Sequence, residues 1–260
     1  TLLCGMHTRS LCAEQIRLHA AGRARERLPG AVRTLLTANL PVVLWWALPP
    51  EFDSELYEEL ARLADRVFLD SSTLPGGFSL QTLSGEWVNP HTSDLNWSRL
   101  TSWREMIAQL FDSPANRDHL ATLDKVHIET GEGRSAGWLL AGWLASRLGW
   151  QVEHAEPESS RFRRADGEGV QLSLSTHTEP LGLIRVTLEG GGARFVVQRV
   201  AEDCAEGIVD LPGEAPLERM GHLTDESEAA LLSRELDLMA RDRVYEETLL
   251  MVRGILEKLA

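Results

Sequence analysis

Residues able to do chemistry are plentiful in this chain, but few stand at a spacing that chemistry uses. The eight histidines, at 7, 19, 91, 119, 127, 154, 177 and 222, contain no i, i+4 pair, and no Cys-x-x-Cys accompanies them. Zinc-binding spacing is therefore missing. Neither G-x-G-x-x-G nor G-x-x-x-x-G-K-[ST] occurs, so no glycine-rich loop of those types cradles a phosphate. Gly190-Gly191-Gly192 could offer backbone N–H groups to an anion, but it lies between two strand-like runs and reads as a hairpin turn. Asp70, at the end of an apolar run, has the position of an acid that holds a dinucleotide ribose; without the glycine loop it reads as a cap or turn residue. Ser71 and Ser72 lack the G-x-S-x-G elbow of a nucleophilic serine. Carboxylate pairs are made in space, and the sequence singles none out. No catalytic, cofactor-binding or metal-ligating residue is assigned. Cys4 and Cys12 are the pair to weigh. If Leu2–Cys4 and Cys12–Leu18 form a hairpin about His7-Thr8-Arg9, the two sulfurs face each other and a regulatory disulfide is possible; the alternative is two reduced thiols.

What stands out instead is tryptophan, with 8 Trp against 6 Phe and 2 Tyr. Three segments concentrate it: Pro41–Trp46, Asp94-Leu95-Asn96-Trp97-Ser98-Arg99-Leu100-Thr101-Ser102-Trp103-Arg104, and Gly142–Trp150. Trp and Arg beside Asp and Asn, ahead of a helix, is the composition of a protein-interface hot spot. It is equally that of a tightly hydrogen-bonded core loop. The candidate contact residues on the first reading are Asp94, Asn96, Trp97, Arg99, Trp103 and Arg104.

The elements that must position these segments alternate over the first half. Glu14–Leu18 alternates like a half-buried strand, and Arg23–Ala38 reads as a helix. Val42–Trp46 reads as a strand buried on both faces, Ser54–Ala64 as an amphipathic helix, and Val67–Leu69 as a second buried strand. Phe78–Leu83 is a short helix or an extended piece. Ser102 and Glu105 fit a capping box, and Ser113-Pro114 a second helix start. Val126–Glu129 is strand-like, and Ala136–Leu148 is a helix ended by Gly149. Beyond residue 150 the period changes to strands at Val170–Thr176, Leu181–Leu188 and Arg194–Val200, then to helices capped by Thr224 and Asp242. The fold class is α/β: an N-terminal layered α/β sheet domain over residues 1–150, then a smaller C-terminal α+β domain over 151–260, an antiparallel meander with C-terminal helices.

Composition bounds the partners. The 260 residues are 43% hydrophobic and 25% charged, an ordinary globular balance, and the net charge of −13 argues against nucleic acid. No run reaches the length of a membrane helix, and three cysteines suit a reducing, cytoplasmic setting. The opening Thr1–Cys4 reads as the middle of a strand, which predicts a longer parent chain. Charge is uneven: residues 201–260 hold fifteen acidic against six basic residues. This is a solvated helical face or a surface that steers toward a basic partner.

The same aromatic segments resemble the OpcA family, assembly or activator proteins of glucose-6-phosphate dehydrogenase, with a cyanobacterial flavour. The matching residues are Pro41–Trp46, Asp70-Ser71-Ser72, Asp94–Arg104, Phe111-Asp112 and Gly142–Trp150, in the family's order over residues 1–150. The resemblance implies a non-enzymatic role. Family members bind the dehydrogenase, favour its active oligomer and raise NADPH supply from the oxidative pentose phosphate pathway; in oxygenic phototrophs the partnership is linked to thioredoxin. Among the three cysteines only Cys4 and Cys12 lie near each other in sequence, and none follows Cys204, which departs from a redox switch in the acidic C-terminal region. One rival is an enzyme acting on a sugar phosphate or nucleotide at the strand ends near Ala47 and Asp70, which predicts a concave polar pocket there. Another is a scaffold that binds without regulating.

Overall fold

The computed structural model describes residues 2–4, 12–47, 55–73, 92–179, 182–224, 227–238 and 241–259. Two compact units emerge: residues 1–42 with 51–65, and residues 43–50 with 66–260.

In the first unit β1 (Leu2–Cys4) pairs antiparallel with β2 (Cys12–Glu14), and their register sets Cys4 opposite Cys12. The strand expected as far as Leu18 stops at Glu14. The single helix expected from Arg23 is split into a 3-10 segment, Gly22–Arg27, and α1 (Leu28–Leu35). Pro29 sits in the first turn of α1, where a missing N–H costs nothing, so it starts a helix and does not continue one. Helix α2 (Glu55–Ala61) buries Tyr57.

The second unit opens with a parallel three-stranded sheet, β3 (Val43–Trp45), β4 (Arg66–Leu69) and β5 (Thr92–Asp94), in that order. Only the central β4 is buried along its whole length. The expectation that residues 42–46 are covered on both faces is corrected: β3 is the sheet edge, and Trp45 is 44% exposed. The segment 78–83 lies outside the described residues. Strand β5 runs straight into α3 (Leu95–Arg99), followed by α4 (Thr101–Leu110), α5 (Pro114–Arg117), β6 (Leu123–Thr130) and α6 (Ser135–Leu148). Gly149 ends α6 in the left-handed conformation, φ 67°, as its position predicts.

Seven further strands follow: β7 (Gln151–Glu156), β8 (Ser159–Arg163), β9 (Gly169–Thr176), β10 (Leu183–Gly190), β11 (Ala193–Ala201), β12 (Cys204–Asp210) and β13 (Leu217–His222). Helices α7 (Glu228–Leu238) and α8 (Arg243–Leu256) complete the described chain. The strands join β6 in one eight-stranded sheet, ordered β13-β12-β11-β10-β6-β9-β8-β7. Strand β6, expected with the N-terminal elements, lies between β10 and β9, parallel to β9 and antiparallel to β10. The boundary expected at residue 150 therefore runs through the run of elements that builds this sheet. The hairpin at Gly190–Gly192 is present, with Gly191 and Gly192 at φ 58° and 80°.

Side chains alternate across the sheet with a period of two. Val126, Ile128, Leu172, Leu174, Val186, Leu188, Phe195 and Val197 are buried toward the helical side. Lys125, His127, Glu129, Gln171, Ser173 and Ser175 occupy the other face. Helices α4, α6 and α8 pack against the sheet, and α6 lies close against α8. Gly142 permits that approach: a Cβ there would stand 2.9 Å from the Thr248 carbonyl oxygen. The chain is thus α/β, with a large sheet under a helical layer. No helix among the described residues is long and apolar enough to cross a membrane.

Candidate functional site

The Asp94–Arg104 segment lies at the junction of the parallel sheet, the loop after β4 and the two C-terminal helices. Its start follows from local chemistry. Asp94 ends β5 in extended conformation and accepts from the Asn96 N–H at 3.0 Å, capping α3. The same Oδ1 accepts from the Ser71 N–H at 2.9 Å, which ties α3 to the loop after β4. The Tyr245 hydroxyl of α8 stands 3.4 Å from Oδ2, and Asn96 Nδ2 donates to Ser71 Oγ at 2.9 Å. Burial pushes the Asp94 carboxyl up to about 6, a rise its hydrogen bonds from Ser71 and Asn96 oppose.

Asp70, directly after β4, behaves differently. Burial alone would raise its pKa, but Arg99 donates to both its oxygens, at 2.8 and 2.7 Å, and Ser72 adds a backbone N–H. The fork holds the carboxyl below its ordinary value. Asp70 is therefore the turn residue the sequence suggests, locked to α3.

The far side of the segment grips the C-terminal helices. Trp97 Nε1 donates to Asp242 Oδ2 at 2.8 Å, while Asp242 Oδ1 accepts from the Tyr245 N–H and caps α8. The Arg104 guanidinium lies 3.5 Å from the Trp97 ring centroid. Burial pushes that guanidinium down to about 10, against the pull of Asp242, Glu105 and Glu235. Ser98 Oγ donates to Glu235 of α7 at 2.7 Å, and Arg66, buried on β4, lies 3.6 Å from the same carboxylate. Trp103 is buried, with the Arg199 guanidinium 5.7 Å from its ring centroid.

Two caps expected from the sequence are used otherwise. Leu100 in helical conformation links α3 to α4, and its N–H donates to Trp97 C=O. Ser102 is free of capping and meets Thr224 Oγ1 at 2.9 Å, and Thr224 N–H donates back to Ser102 Oγ. Ser113 does cap α5, accepting from the Asn116 N–H.

All six residues singled out in the segment thus come together, four of them, Asp94, Asn96, Trp97 and Trp103, buried. Arg99 and Arg104 retain partial exposure. Sequence reasoning passed over Arg66, Glu235 and Tyr245, whose roles depend on contacts across more than a hundred residues or between separate strands. The side chains of Cys4 and Cys12 lie outside the described residues; their backbone pairing is the only part in view. At the strand ends near Asp70, where an enzymatic reading predicts a pocket, the described residues leave a recess of about 10 Å³ between Ser72, Asn96, Glu132 and Ser135. That is room for about one water molecule. No group of three His, Cys, Asp or Glu among the described residues is placed to hold a metal ion.

Comparison with known proteins adds independent information. Residues 90–249 match the family model for the C-terminal domain of a glucose-6-phosphate dehydrogenase subunit of the OpcA type, and residues 4–82 match the model for its N-terminal domain. A Synechocystis protein named as an OxPP cycle protein OpcA is 28% identical over 95% of this chain and 56% of its own length. One of the same name from Nostoc punctiforme is 29% identical over 92% of the chain and 56% of its length. The chain spans just over half the length of these relatives. Among solved structures, the 3-ketoreductase KijD10 of Actinomadura kijaniata superposes with a TM-score of 0.57 at 9% identity, covering 91% of this chain and 84% of that one. An oxidoreductase from Sinorhizobium meliloti gives 0.53 at 12% identity, over 88% and 80%. At such identities these structures share the fold alone.

Proposed function

Because the chain belongs to the OpcA family, whose two domains are described as those of a glucose-6-phosphate dehydrogenase subunit, we propose that it binds glucose-6-phosphate dehydrogenase and favours the enzyme's active oligomer without turning over a substrate itself. The observation that carries this reading is the family match across residues 4–82 and 90–249. Binding shifts an equilibrium only through unequal affinity for its two states. A difference of about 3 kcal/mol changes the active-to-inactive ratio roughly a hundredfold.

In this reading Arg99 and Arg104 touch the partner. Asp94, Asn96, Trp97 and Trp103 hold those arginines, and helices α7 and α8, in position from inside. The acidic C-terminal helices form a second contact. Cys4 and Cys12 are the candidate pair for redox control: residues directly opposite in an antiparallel pair stand about 4.5–5.5 Å apart at Cα, within disulfide reach. Alkylation mass spectrometry of oxidised and reduced protein reads that bond directly.

The test is to titrate the protein into its cognate dehydrogenase. A lower apparent KM for the sugar phosphate, or a shift of the dehydrogenase to a larger species in light scattering, is the expected result. Unchanged kinetics and unchanged size overturn the proposal; binding with unchanged kinetics leaves a scaffold.

A further inference from the structure

Among the described residues the eight-stranded sheet ends on β13, and no described strand pairs with its outer edge. Strand β13 pairs with β12 in unbroken register from Cys204↔His222 to Val209↔Leu217. The Leu223 N–H donates to the Asp203 carbonyl, which fixes the phase of the ladder. In an antiparallel pair the bonded positions alternate. Leu217, Arg219 and Gly221 therefore bond inward, and Glu218, Met220 and His222 direct their N–H and C=O groups outward.

Natural edge strands are protected by short length, charged side chains (lysine above all), proline, a bulge or a covering element, and of these β13 has the charges of Glu218 and Arg219. Residues 217–222 contain neither proline nor lysine, and their register has no bulge. Leu217 and Met220 are 53% and 62% exposed. Beside the edge runs a groove of about 240 Å³ lined by Met106, Leu110, Val209 and Leu217, with Asp112 and Glu214 also on its wall. Gly221 leaves space for Met106, whose Sδ would lie 2.7 Å from a Cβ at that position. Methionine there is an adaptable floor for an apolar side chain.

Charge selects the occupant. Over residues 204–222 Glu206, Asp210, Glu214 and Glu218 face a single Arg219, and Glu214 and Glu218 are exposed. A second copy of this chain brings the same acidic edge and is repelled. We infer that β13 docks an extended segment of the partner protein that alternates apolar and basic residues and adds to the sheet as a ninth strand. This rests on the partner-binding reading above and adds a further contact, at the sheet edge, to those named there.

Hydrogen-exchange mass spectrometry on the full chain, alone and with the dehydrogenase, tests it together with affinities of Met220→Pro and Glu218→Arg. The expected result is slowed exchange over residues 217–222 in the complex. Met220→Pro removes an outward N–H and no bond to β12; it should weaken binding roughly tenfold with little change in melting temperature. Glu218→Arg should weaken binding less and flatten its salt dependence. If the parent protein binds and neither exchange nor either affinity changes, the inference is overturned while the partner-binding reading stands. If the parent does not bind, both fall. A dimer of this chain that Met220→Pro dissolves also overturns it, by giving the edge to a second copy.

Discussion

The Asp94 carboxyl is joined to three parts of the chain through two backbone N–H groups and the Tyr245 hydroxyl, and its protonation has a defined effect on stability. Its pKa is about 6 in the folded protein against 3.8 unperturbed. Between those values the folded state holds a proton that the unfolded chain has lost. The stabilisation from Asp94 is complete below about pH 4 and is lost as pH rises through about 6, a swing of about 3 kcal/mol. Asp70, held low by Arg99, has the opposite sign: its contribution is present above 3.8 and is lost as pH falls. Asp94→Asn can keep both backbone bonds through one oxygen and abolishes the titration. Relative to the parent, its melting temperature should rise by roughly 5–10 °C between pH 4 and pH 7.5; thermal melts at the two values check this. Arg99→Ala removes the guanidinium from an aspartate only 10% exposed and should cost about 2–4 kcal/mol in urea unfolding. Arg99→Lys, a point charge without the fork, should recover part of that loss.

Helix ends show how far local sequence carries and where it stops. Asp242, Ser113 and Gly149 end or start helices as their types and spacing predict, because a cap is satisfied within three residues. Ser102 has the right neighbours for a capping box and does something else: its hydroxyl meets Thr224, 122 residues away in sequence. The second oxygen of Asp242 tells the same story: its cap is local, but its bond to Trp97 spans 145 residues. The Asp94–Arg104 segment was thus visible as a unit from its composition, while its partners on α7 and α8 were not. The close approach of α6 to α8 was equally hidden in a glycine inside a helix. Gly142→Ala gains about 1 kcal/mol of helix propensity, but its Cβ meets Thr248 backbone at 2.9 Å and Val252 Cγ2 at 2.5 Å. The backbone must yield, so a net loss of about 1–2 kcal/mol is expected from denaturant unfolding.

At the scale of the whole molecule the α/β class, the parallel β3–β4 pair and the β10–β11 hairpin were legible from period and turn residues. Strands β7, β8, β12 and β13 were not. Gln151–Glu156 and Leu217–His222 are short and largely polar, so apolar alternation, the usual strand signal, is weak in them. The position of β6 was also out of reach, since register between distant strands is decided by the completed sheet. A fragment starting at Gln151 lacks that strand and contains β9 and β10 with nothing between them. It should show little protection from amide exchange, whereas a fragment starting before β5 should retain the sheet.

The intercalation of β6 also has a consequence in time. During synthesis this strand emerges well before either neighbour, and its second neighbour is complete only when residue 190 has been added. Until then one or both of its rims lack a mate. The late closure of this gap is a long-range pairing of the slow kind. The newborn chain is therefore most vulnerable to aggregation between the translation of Thr130 and that of Gly190.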